Sequence, residues 1–359
     1  MTKRIALFSH KGGVSKTTTT FHLAWMLAQQ NKKVLMVDAD SQCNLTALVM
    51  GEDKFDEFYR TKNPQNIKDA LLPAFKSKAT LIQAVECFPL PFTHDRLFLL
   101  PGHLALSEYE VTLGFAQMSS EAIFTLQNIP GAFSYLFAKT AERYGIDYIL
   151  IDMSPSLSST NQNLLMTSDY FIVPTSPDYF SMMAIESMSL VFPKWAAWAE
   201  KFMKMDIFTQ EALYPLPMVT PKFLGAVVQR FSQRSKEPTK QFQPFIDDIN
   251  WCIQQKLWYE LEKKNMCFKQ ERYHEILGPD NFFLAKIPDF ASLNPLSQRN
   301  RKAIFALRDE DMTYSDEKTG KTINYTGTVL DGMRSKRDDI EKTFSTFAEY
   351  VCQLTAESV

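Results

Sequence analysis

The sequence predicts an α/β fold in which helices flank a doubly wound, mostly parallel sheet, and two observations support this. First, short and nearly continuous apolar runs alternate with helical patterns along the chain, which favours parallel strands joined by crossover helices. Second, several of these runs end at Asp or Pro, a pattern typical of buried parallel strands whose carboxyl ends bind ligands. The chain has 359 residues, 45% of them hydrophobic, which is enough to fill a large core.

The predicted elements follow one another in a regular order. Apolar segments predict strands at residues 5–8, 33–38, 97–101, 148–152, 170–174, 223–228 and 282–287. Between the first two strands, Phe21, Ala24 and Ala28 recur at helical spacing, which predicts a helix. The last predicted helix presents one apolar face, made of Ile340, Phe344, Phe347, Val351 and Leu354.

We expect a single domain over residues 1–359, interrupted by insertions at about 52–90, 190–221, 232–281 and 309–333. The third insertion carries a mixed polar and aromatic helical pattern, which predicts a helical subdomain packed on the core. The fourth contains the turn-rich residues 316–321, which predict the tip of a hairpin.

Composition excludes several classes of protein. The net charge of −2 argues against an extensive basic surface. The five cysteines have no C-x-x-C spacing and the five histidines have no metal-ligand spacing, so we expect reduced thiols and neither a disulfide framework nor a zinc site. No apolar run approaches the ~20 residues of a membrane span, and no signal peptide precedes the first strand. These features predict a cytoplasmic protein without a membrane partner.

The most informative stretch is residues 9–18, which lie between the first strand and the first helix. Glycines followed by Lys-Thr in this context predict a phosphate-binding loop (P-loop), whose backbone N–H groups and helix N-terminus hold an anion. Lys16 would reach the terminal phosphates of a nucleotide and the Thr17 hydroxyl would bind Mg²⁺. The nucleotide-binding residues predicted here are Lys11, Gly12, Gly13, Val14, Ser15, Lys16, Thr17 and Thr18.

The loop departs from the general P-loop pattern, because His10 and Ser15 stand where that pattern has glycine and an extra lysine, Lys11, precedes Lys16 by five residues. Lys-Gly-Gly-x-x-Lys-Thr resembles the deviant Walker A motif of the ParA/MinD family of ATPases. In that family the first lysine reaches the nucleotide of the partner subunit. The resemblance therefore implies a P-loop NTPase fold, catalytic roles for Lys11 and Lys16, and a homodimer that forms with ATP.

Two further motifs resemble the same family. Residues 38–46 contain Asp-x-Asp followed by Gln-x-Asn, with Ser41 where the family has proline. The resemblance implies that Asp40 is catalytic, orienting the attacking water, and contributes to the metal site, with Asp38 in support. Asp152 ends an apolar strand, as a Walker B carboxylate does, and would hold Mg²⁺. The Pro-Ser-Leu that follows resembles a switch segment that senses the γ-phosphate.

The base-binding and DNA-binding residues are less well defined. Gln229 stands at a strand end where the resemblance implies an adenine contact, and Pro288 lies in a segment that resembles the loop over the base. The alternative is a polar residue at a strand exit. Clustered basic residues predict non-specific contacts with DNA phosphates, the alternative being a solvated charged face: Arg234, Lys236, Arg299, Arg301 and Lys302.

Three functions are consistent with these motifs. The first is a ParA-like ATPase with ATP and Mg²⁺ as cofactors, which partitions plasmids, chromosomes or other cargo. It would bind DNA non-specifically as an ATP dimer, associate with the nucleoid, and hydrolyse ATP when an adaptor protein stimulates it. The second is a MinD-like positioning switch, which residues 353–359 disfavour because they carry an acid and no base. The third is a nucleotide-gated adaptor whose insertions bind a partner; a redox role lacks suitably placed cysteines.

Overall fold

Twelve strands are present in the computed structural model, which describes residues 1–61, 65–91, 93–118, 126–234, 237–315 and 322–356. In chain order they are β1 Lys3–Leu7, β2 Val34–Ala39, β3 Phe88–Pro89, β4 Leu97–Leu100, β5 Tyr148–Met153, β6 Tyr170–Thr175, β7 Lys222–Phe231, β8 Gln233–Arg234, β9 Glu237–Pro238, β10 Phe283–Pro288, β11 Thr313–Ser315 and β12 Thr322–Asn324. All seven strands predicted from the sequence are confirmed.

Fifteen α-helices connect or cover the strands within the described residues. They are α1 Lys16–Gln29, α2 Asn44–Met50, α3 Glu52–Arg60, α4 Ile67–Ala70, α5 Leu72–Phe75, α6 Glu108–Met118, α7 Ala132–Tyr144, α8 Ser159–Met166, α9 Tyr179–Met203, α10 Asp206–Thr209, α11 Gln243–Cys252, α12 Tyr259–Lys263, α13 Gln270–Leu277, α14 Leu293–Asn300 and α15 Gly327–Leu354. A π-helical turn over Ile253–Trp258 joins α11 to α12, so these segments form one continuous helical rod.

The central sheet has eight strands in the order β10-β7-β6-β1-β5-β2-β4-β3. Every neighbouring pair is parallel except β3 with β4, which is antiparallel. The prediction of a doubly wound, mostly parallel sheet is therefore confirmed. β1, with the phosphate loop after it, lies at the centre between β5 and β6. The short edge strand β3 was not predicted, because two residues give no periodic signal.

The central strands are apolar on both faces because helices cover both sides of a parallel sheet. Helix α1 packs on β2 and β5, and α15 packs on α1 and β10. Since α1 lies between the sheet and another helix, nearly all of its side chains are buried. The predicted apolar face of the last helix is confirmed, with Ile340, Phe344, Phe347, Val351 and Leu354 all buried.

The predicted insertions contain distinct elements. Residues 52–90 hold α3, α4, α5 and β3, while the α11–α12 rod, which belongs to residues 232–281, packs along α9. Residues 309–333 contain the antiparallel pair β11 and β12, and the turn proposed between them, residues 316–321, lies outside the described residues. All five cysteines are free thiols, as predicted.

Candidate functional site

The strand register brings the ends of three motifs together. In the parallel pairing of β1 with β5, Leu7 lies opposite Asp152, and in the pairing of β2 with β5, Asp38 lies opposite the same residue. The phosphate loop leaves the sheet directly after β1. The two carboxylates therefore lie beside the loop at the carboxyl edge of the sheet, where ligands of such folds bind.

The phosphate loop turns through two residues with left-handed backbone, Gly13 with φ 73° and Ser15 with φ 57°. Ser15 precedes the first residue of α1, Lys16, so the loop delivers backbone N–H groups to a helix N-terminus. Glycine adopts this conformation without steric cost, whereas the backbone of Ser15 is strained in it. A Cβ at Gly12 would lie 3.8 Å from Cγ of Pro155, which places the loop against the predicted switch segment.

Lys16 is buried within the loop, with 7% of its surface exposed. Its Nζ donates a hydrogen bond of 3.5 Å to the carbonyl oxygen of Lys11. Burial lowers the pKa of Lys16, and the negative charges of Asp152 and Asp40 offset part of this effect. The lysine is thus a poorly solvated cation surrounded by carboxylates, an arrangement suited to a polyanionic ligand.

Thr17 and Asp152, two of the three predicted metal ligands with Asp40, are in direct contact. The Thr17 hydroxyl donates a hydrogen bond of 2.7 Å to Oδ2 of Asp152. The carboxyl is fully buried, and burial raises its pKa to about 8, with the charge of Asp38 adding to the rise. Its other oxygen, Oδ1, is buried without a hydrogen-bond partner. A buried carboxylate oxygen that lacks a donor, next to a hydroxyl, fits a hard cation such as Mg²⁺.

Asp38 and Asp40 have different surroundings. Oδ2 of Asp38 accepts hydrogen bonds from the backbone N–H of Thr46 at 2.8 Å and from its hydroxyl at 2.6 Å. Burial raises the pKa of Asp38 to about 6. Asp40 is 8% exposed and accepts from the N–H of Gln42 at 2.9 Å. Asp38 therefore anchors the start of α2, and Asp40 lies close enough to Lys16 for its charge to oppose the lowering of that lysine's pKa.

Lys11 is paired with side chains of its own chain. Its Nζ forms an ion pair with Oδ2 of Asp178 and donates to the hydroxyl of Ser181 at 3.2 Å. Asp178 also caps α9 by accepting from the N–H of Ser181 at 2.9 Å. Burial pushes the pKa of Asp178 upward, but the bonds from Lys11 and Ser181 hold it below its usual value. The sequence pattern did not indicate this partner.

The predicted switch segment is folded around one buried amide. Nδ2 of Asn161, on α8, lies 2.9 Å from the carbonyl oxygen of Ser154 and 2.6 Å from that of Ser156. Asn161 is fully buried. Sequence analysis missed this residue, although an Asn shortly after Asp-x-x-Pro-Ser is the kind of side chain that organises a loop.

Beside the phosphate loop, a cavity of about 170 Å³ lies where a nucleotide base is expected. Its lining includes the predicted residues Thr18, Gln229 and Pro288, and also Arg230 and Asp289. The side-chain amide of Gln229 is bonded to the phosphate loop. The structure thus brings the predicted base residues together at one cavity, with Nε2 of Gln229 directed at protein atoms.

The basic residues proposed for DNA have other partners. Arg299 donates to the carbonyl oxygens of Asp311 and Thr313, at 3.3 and 3.0 Å. Arg301 donates to the carbonyl oxygen of Met50 at 2.8 Å, and Lys302 forms a buried ion pair with Asp311 at 2.8 Å. Lys302 is buried, whereas Arg301 is partly exposed and Arg299 is exposed. All three side chains tie segments of the chain together, and their contact with DNA stays a prediction. The side chain of Arg234 and all of Lys236 lie outside the described residues.

His22, on α1, is a further feature that the sequence did not single out. Its Nδ1 hydrogen-bonds to the carbonyl oxygen of Thr18 at 2.9 Å, and its Nε2 accepts from the N–H of Ile304 at 3.2 Å. Complete burial lowers its pKa to about 4. The neutral ring thus links the helix that begins at the phosphate loop to a distant segment.

A phosphate loop, a Thr–Asp pair that fits a metal, and a second lysine beside them define a P-loop nucleotide-binding protein. A family model described as an AAA domain matches residues 2–201. The chain belongs to the ParA/MinD-type P-loop ATPases, as the relatives and structures below also indicate.

Three relatives illustrate the extent of the sequence similarity. An uncharacterized protein of Methanocaldococcus jannaschii, MJECL24, is 28% identical over 67% of this chain and 77% of its own length. A ParA family protein of Chlamydia trachomatis is 30% identical and Soj of Bacillus subtilis, a sporulation initiation inhibitor protein, is 28% identical. Each of the latter two matches covers 52% of this chain and 64% of the relative, so this chain spans less than two thirds of either.

Solved structures share the fold over almost the whole chain. Apo McdA of Cyanothece matches 98% of this chain and 100% of its own, with a TM-score of 0.57 at 16% identity. Protein DIP2308 of Corynebacterium diphtheriae matches 98% and 99%, with a TM-score of 0.59 at 19% identity. A putative plasmid partition protein of Borrelia burgdorferi, solved with AMPPNP, matches 98% and 99%, with a TM-score of 0.51 at 18% identity. At such identities the likeness shows the fold alone.

Proposed function

We propose that this chain is an ATP-dependent dimerising ATPase that positions or partitions DNA or other cargo. The observation that carries the proposal is the meeting of Lys16, Thr17 and Asp152 at one edge of the sheet, with Asp40 near Lys16 and Lys11 in the same loop. Only a polyanionic ligand that binds together with a divalent cation would contact all of these groups.

The cofactors would be ATP and Mg²⁺. The backbone of residues 12–18 would hold the phosphates, and Lys16 would neutralise charge on the terminal ones. Thr17 and Asp152 would hold Mg²⁺, because a hydroxyl oxygen and an unpartnered carboxylate oxygen are hard ligands. When bound, Mg²⁺ would supply positive charge that balances the phosphates.

Asp40 would orient the attacking water. Its carboxylate is held in place by the N–H of Gln42 and lies near the Lys16 ammonium, which its charge influences. A carboxylate held in this way can accept a hydrogen bond from water and align it for attack. Without a second protomer we expect turnover to be slow, because each site then lacks the lysine that the other protomer would supply.

In the ATP-bound homodimer, Lys11 would leave Asp178 and reach the nucleotide of the other protomer. Lys11 retains access to solvent, with 24% of its side chain exposed. The role of Lys11 at the other protomer's nucleotide rests on the resemblance of the loop to the family motif. The ion pair with Asp178 is the position that the side chain would leave.

The cargo would be a plasmid, a chromosome or a protein assembly, with an adaptor protein stimulating hydrolysis. Relatives named as ParA family proteins and a structural neighbour named as a putative plasmid partition protein support this class. Contact with DNA would be non-specific and confined to the ATP dimer, placing the protein on the nucleoid in the cytoplasm. Arg234, Lys236, Arg299 and Arg301 stay candidate contacts, and Lys302, which is buried in its ion pair with Asp311, receives the least support.

A nucleotide-gated adaptor is the second candidate, and the α11–α12 rod favours it. Its outward side exposes Trp251 and Tyr259, at 56% and 53%. A MinD-like switch receives less support, because the apolar face of α15 is buried in the fold. None of the helices in the described part of the chain has the length and apolar character needed to cross a bilayer.

The proposal is tested by measuring molar mass by light scattering with ADP and with ATP, alongside ATP affinity by calorimetry. We expect a monomer with ADP and a dimer with ATP. Lys16→Ala should lose ATP binding, and unchanged affinity in that variant would reject the phosphate loop. Retention of a random DNA duplex at low and moderate salt, with each nucleotide, then separates the two candidates, since phosphate contacts weaken steeply with salt. No retention by the ATP dimer would favour the adaptor.

A further inference from the structure

The end of β7 supplies two side chains to the outside of the phosphate loop. Nε2 of Gln229 donates a hydrogen bond of 2.9 Å to the carbonyl oxygen of Val14 and one of 2.6 Å to the hydroxyl oxygen of Thr19. It also lies 3.4 Å from the carbonyl oxygen of Ser15. Gln229 is 3% exposed. Both hydrogens of the amide group are therefore used within the protein.

The next residue, Arg230, contacts the same loop one residue earlier. Its Nη1 donates to the carbonyl oxygen of Gly13. The backbone of Arg230 is left-handed, with φ 66°, a conformation that is strained for a residue with a side chain. Such strain persists where surrounding structure imposes it. Here it accompanies two consecutive side chains, Gln229 and Arg230, that both bond to the loop.

A phosphate loop has a structural need that these bonds meet. Its N–H groups must point inward at the anion, so several of its carbonyl groups point outward and lack the partners that a helix or sheet would provide. Gln229 and Arg230 donate to two consecutive carbonyls of this kind, those of Val14 and Gly13. Thr19 extends the support, since its hydroxyl donates to the carbonyl oxygen of Ser15 at 2.9 Å.

We propose that Gln229 and Arg230 are positioning residues that hold the phosphate loop in its anion-binding shape, and that Gln229 does not read the adenine base. The inference rests on the proposed function in that the loop binds the phosphates of ATP. It assigns to Gln229 a role in affinity for the phosphate chain, whichever base the nucleotide carries.

The test compares ligands with and without a base. Calorimetry would measure the binding of ATP, GTP and inorganic tripolyphosphate, each with Mg²⁺, to the wild-type protein and to Gln229→Met, which keeps the length of the side chain but cannot donate. We expect ATP and tripolyphosphate affinities to fall by the same factor, roughly tenfold for a lost buried hydrogen bond. The ratio of ATP to GTP affinity should not change. Weaker ATP binding with unchanged tripolyphosphate binding would overturn the proposal, as would no change for any ligand.

A second variant, Thr19→Val, removes the hydroxyl on α1 that accepts from Gln229. It keeps the proposal testable if Gln229→Met fails to fold. It should weaken tripolyphosphate binding on its own, and combined with Gln229→Met it should add little. Thr20→Val is the matched control, because the Thr20 hydroxyl bonds within α1 to the carbonyl oxygen of Lys16 at 3.0 Å. Its effect should add to that of Gln229→Met. Strict additivity for Thr19→Val would contradict the proposal.

Hydrogen exchange in the unliganded protein separates this inference from the proposed function. Backbone amides of residues 13–19 should exchange several-fold faster in Gln229→Met than in the wild type, with no nucleotide present. If the wild-type protein bound no nucleotide, the proposed function would fail while this measurement still decided the positioning role. Unchanged exchange would overturn the positioning role, whether or not ATP binds.

Discussion

Lys11 and Asp178 form an ion pair within one protomer, between the phosphate loop and the first residue before α9. Lys11, which by resemblance corresponds to the lysine that acts on the partner subunit's nucleotide, is thus already paired with a carboxylate of its own chain. Any movement of Lys11 toward a second protomer must first break this pair. Its surroundings are partly exposed, so the pair is a modest obstacle that salt weakens.

Asp178→Asn should strengthen the ATP-dependent dimer by roughly threefold, because it releases Lys11 at about the energy of a partly exposed ion pair. Asparagine caps a helix as well as aspartate does, so α9 should keep its start. Sedimentation analysis in ATP measures the dimer constant. Glu186→Gln is the control, since it removes the ion pair of the same helix with Lys256 and should leave that constant unchanged. A weaker dimer in Asp178→Asn would contradict the interpretation.

Lys11→Ala should bind ATP as a monomer but neither dimerise nor hydrolyse it. The reason is that Lys11 lends only its backbone carbonyl to the cis site, where it accepts from Lys16, and alanine keeps that group. Calorimetry and light scattering on the same sample measure binding and mass. A normal ATP dimer formed by this variant would show that the lysine does not act across the interface.

Asp40→Ala should trap an ATP-bound dimer, with turnover reduced at least a hundredfold and affinity within a few-fold of the wild type, because an aligned water contributes to rate more than to binding. Phosphate release measures turnover. Asp38→Asn is a useful comparison, since its carboxylate accepts two bonds from Thr46. That variant should lose stability instead. Wild-type turnover in Asp40→Ala would move the catalytic role to another carboxylate.

Lys302→Ala should lower the free energy of unfolding by about 3 kcal/mol, because it leaves the Asp311 carboxylate buried without its cation. The side chains of the pair are 11% and 9% exposed. Urea unfolding provides the measurement. Arg308→Ala breaks an exposed pair with Glu310 and should cost well under 1 kcal/mol. An equally small loss in Lys302→Ala would argue against a structural role.

His22 should make the protein less stable in acid. Its pKa is about 4 in the folded protein, against 6.5 for an ordinary histidine, so below pH 6.5 the unfolded chain takes up the proton first. The loss begins near pH 6.5, reaches about 3 kcal/mol near pH 4 and then levels off. The raised pKa values of Asp38 and Asp152 act in the opposite direction.

The His22 contribution is therefore measured as a difference between the wild type and His22→Gln, in urea unfolding at pH 7, 5.5 and 4.5. Glutamine keeps a donor and an acceptor but does not titrate. We expect the two stability curves to converge as the pH falls. Parallel curves would show that His22 is not the responsible group.

The strands and the three phosphate-site motifs could be predicted because their signals are local. An apolar run that ends at Asp152 needs no knowledge of its neighbours, and the register of a parallel sheet then places Asp38 beside it. The edge strand β3 carried no comparable signal, and the helical pattern of residues 232–281 did not reveal the π-helical turn that joins α11 to α12. These local structures depend on the residues that pack against them.

The partners of charged and amide side chains could not be predicted, because they lie far away in sequence. Lys11 and Asp178 are 167 residues apart, and Gln229 and Val14 are 215 apart. A cluster of basic residues looks the same in a sequence whether it faces water or a buried carboxylate. Lys302 belongs to the second kind, because Asp311 follows it by nine residues on a segment that folds back.

The side chain of His22 connects α1 to segments of the fold that lie away from the phosphate loop. Its ring lies 5.0 Å from that of Phe290, which lines the base cavity, and 5.3 Å from that of Phe344 on α15. With Ile304 bonded to the same ring, α1, the rim of the base cavity and the C-terminal helix meet at one side chain. A displacement of α1 would therefore change the packing of Phe290, Ile304 and Phe344 together, because all three contact the same imidazole ring.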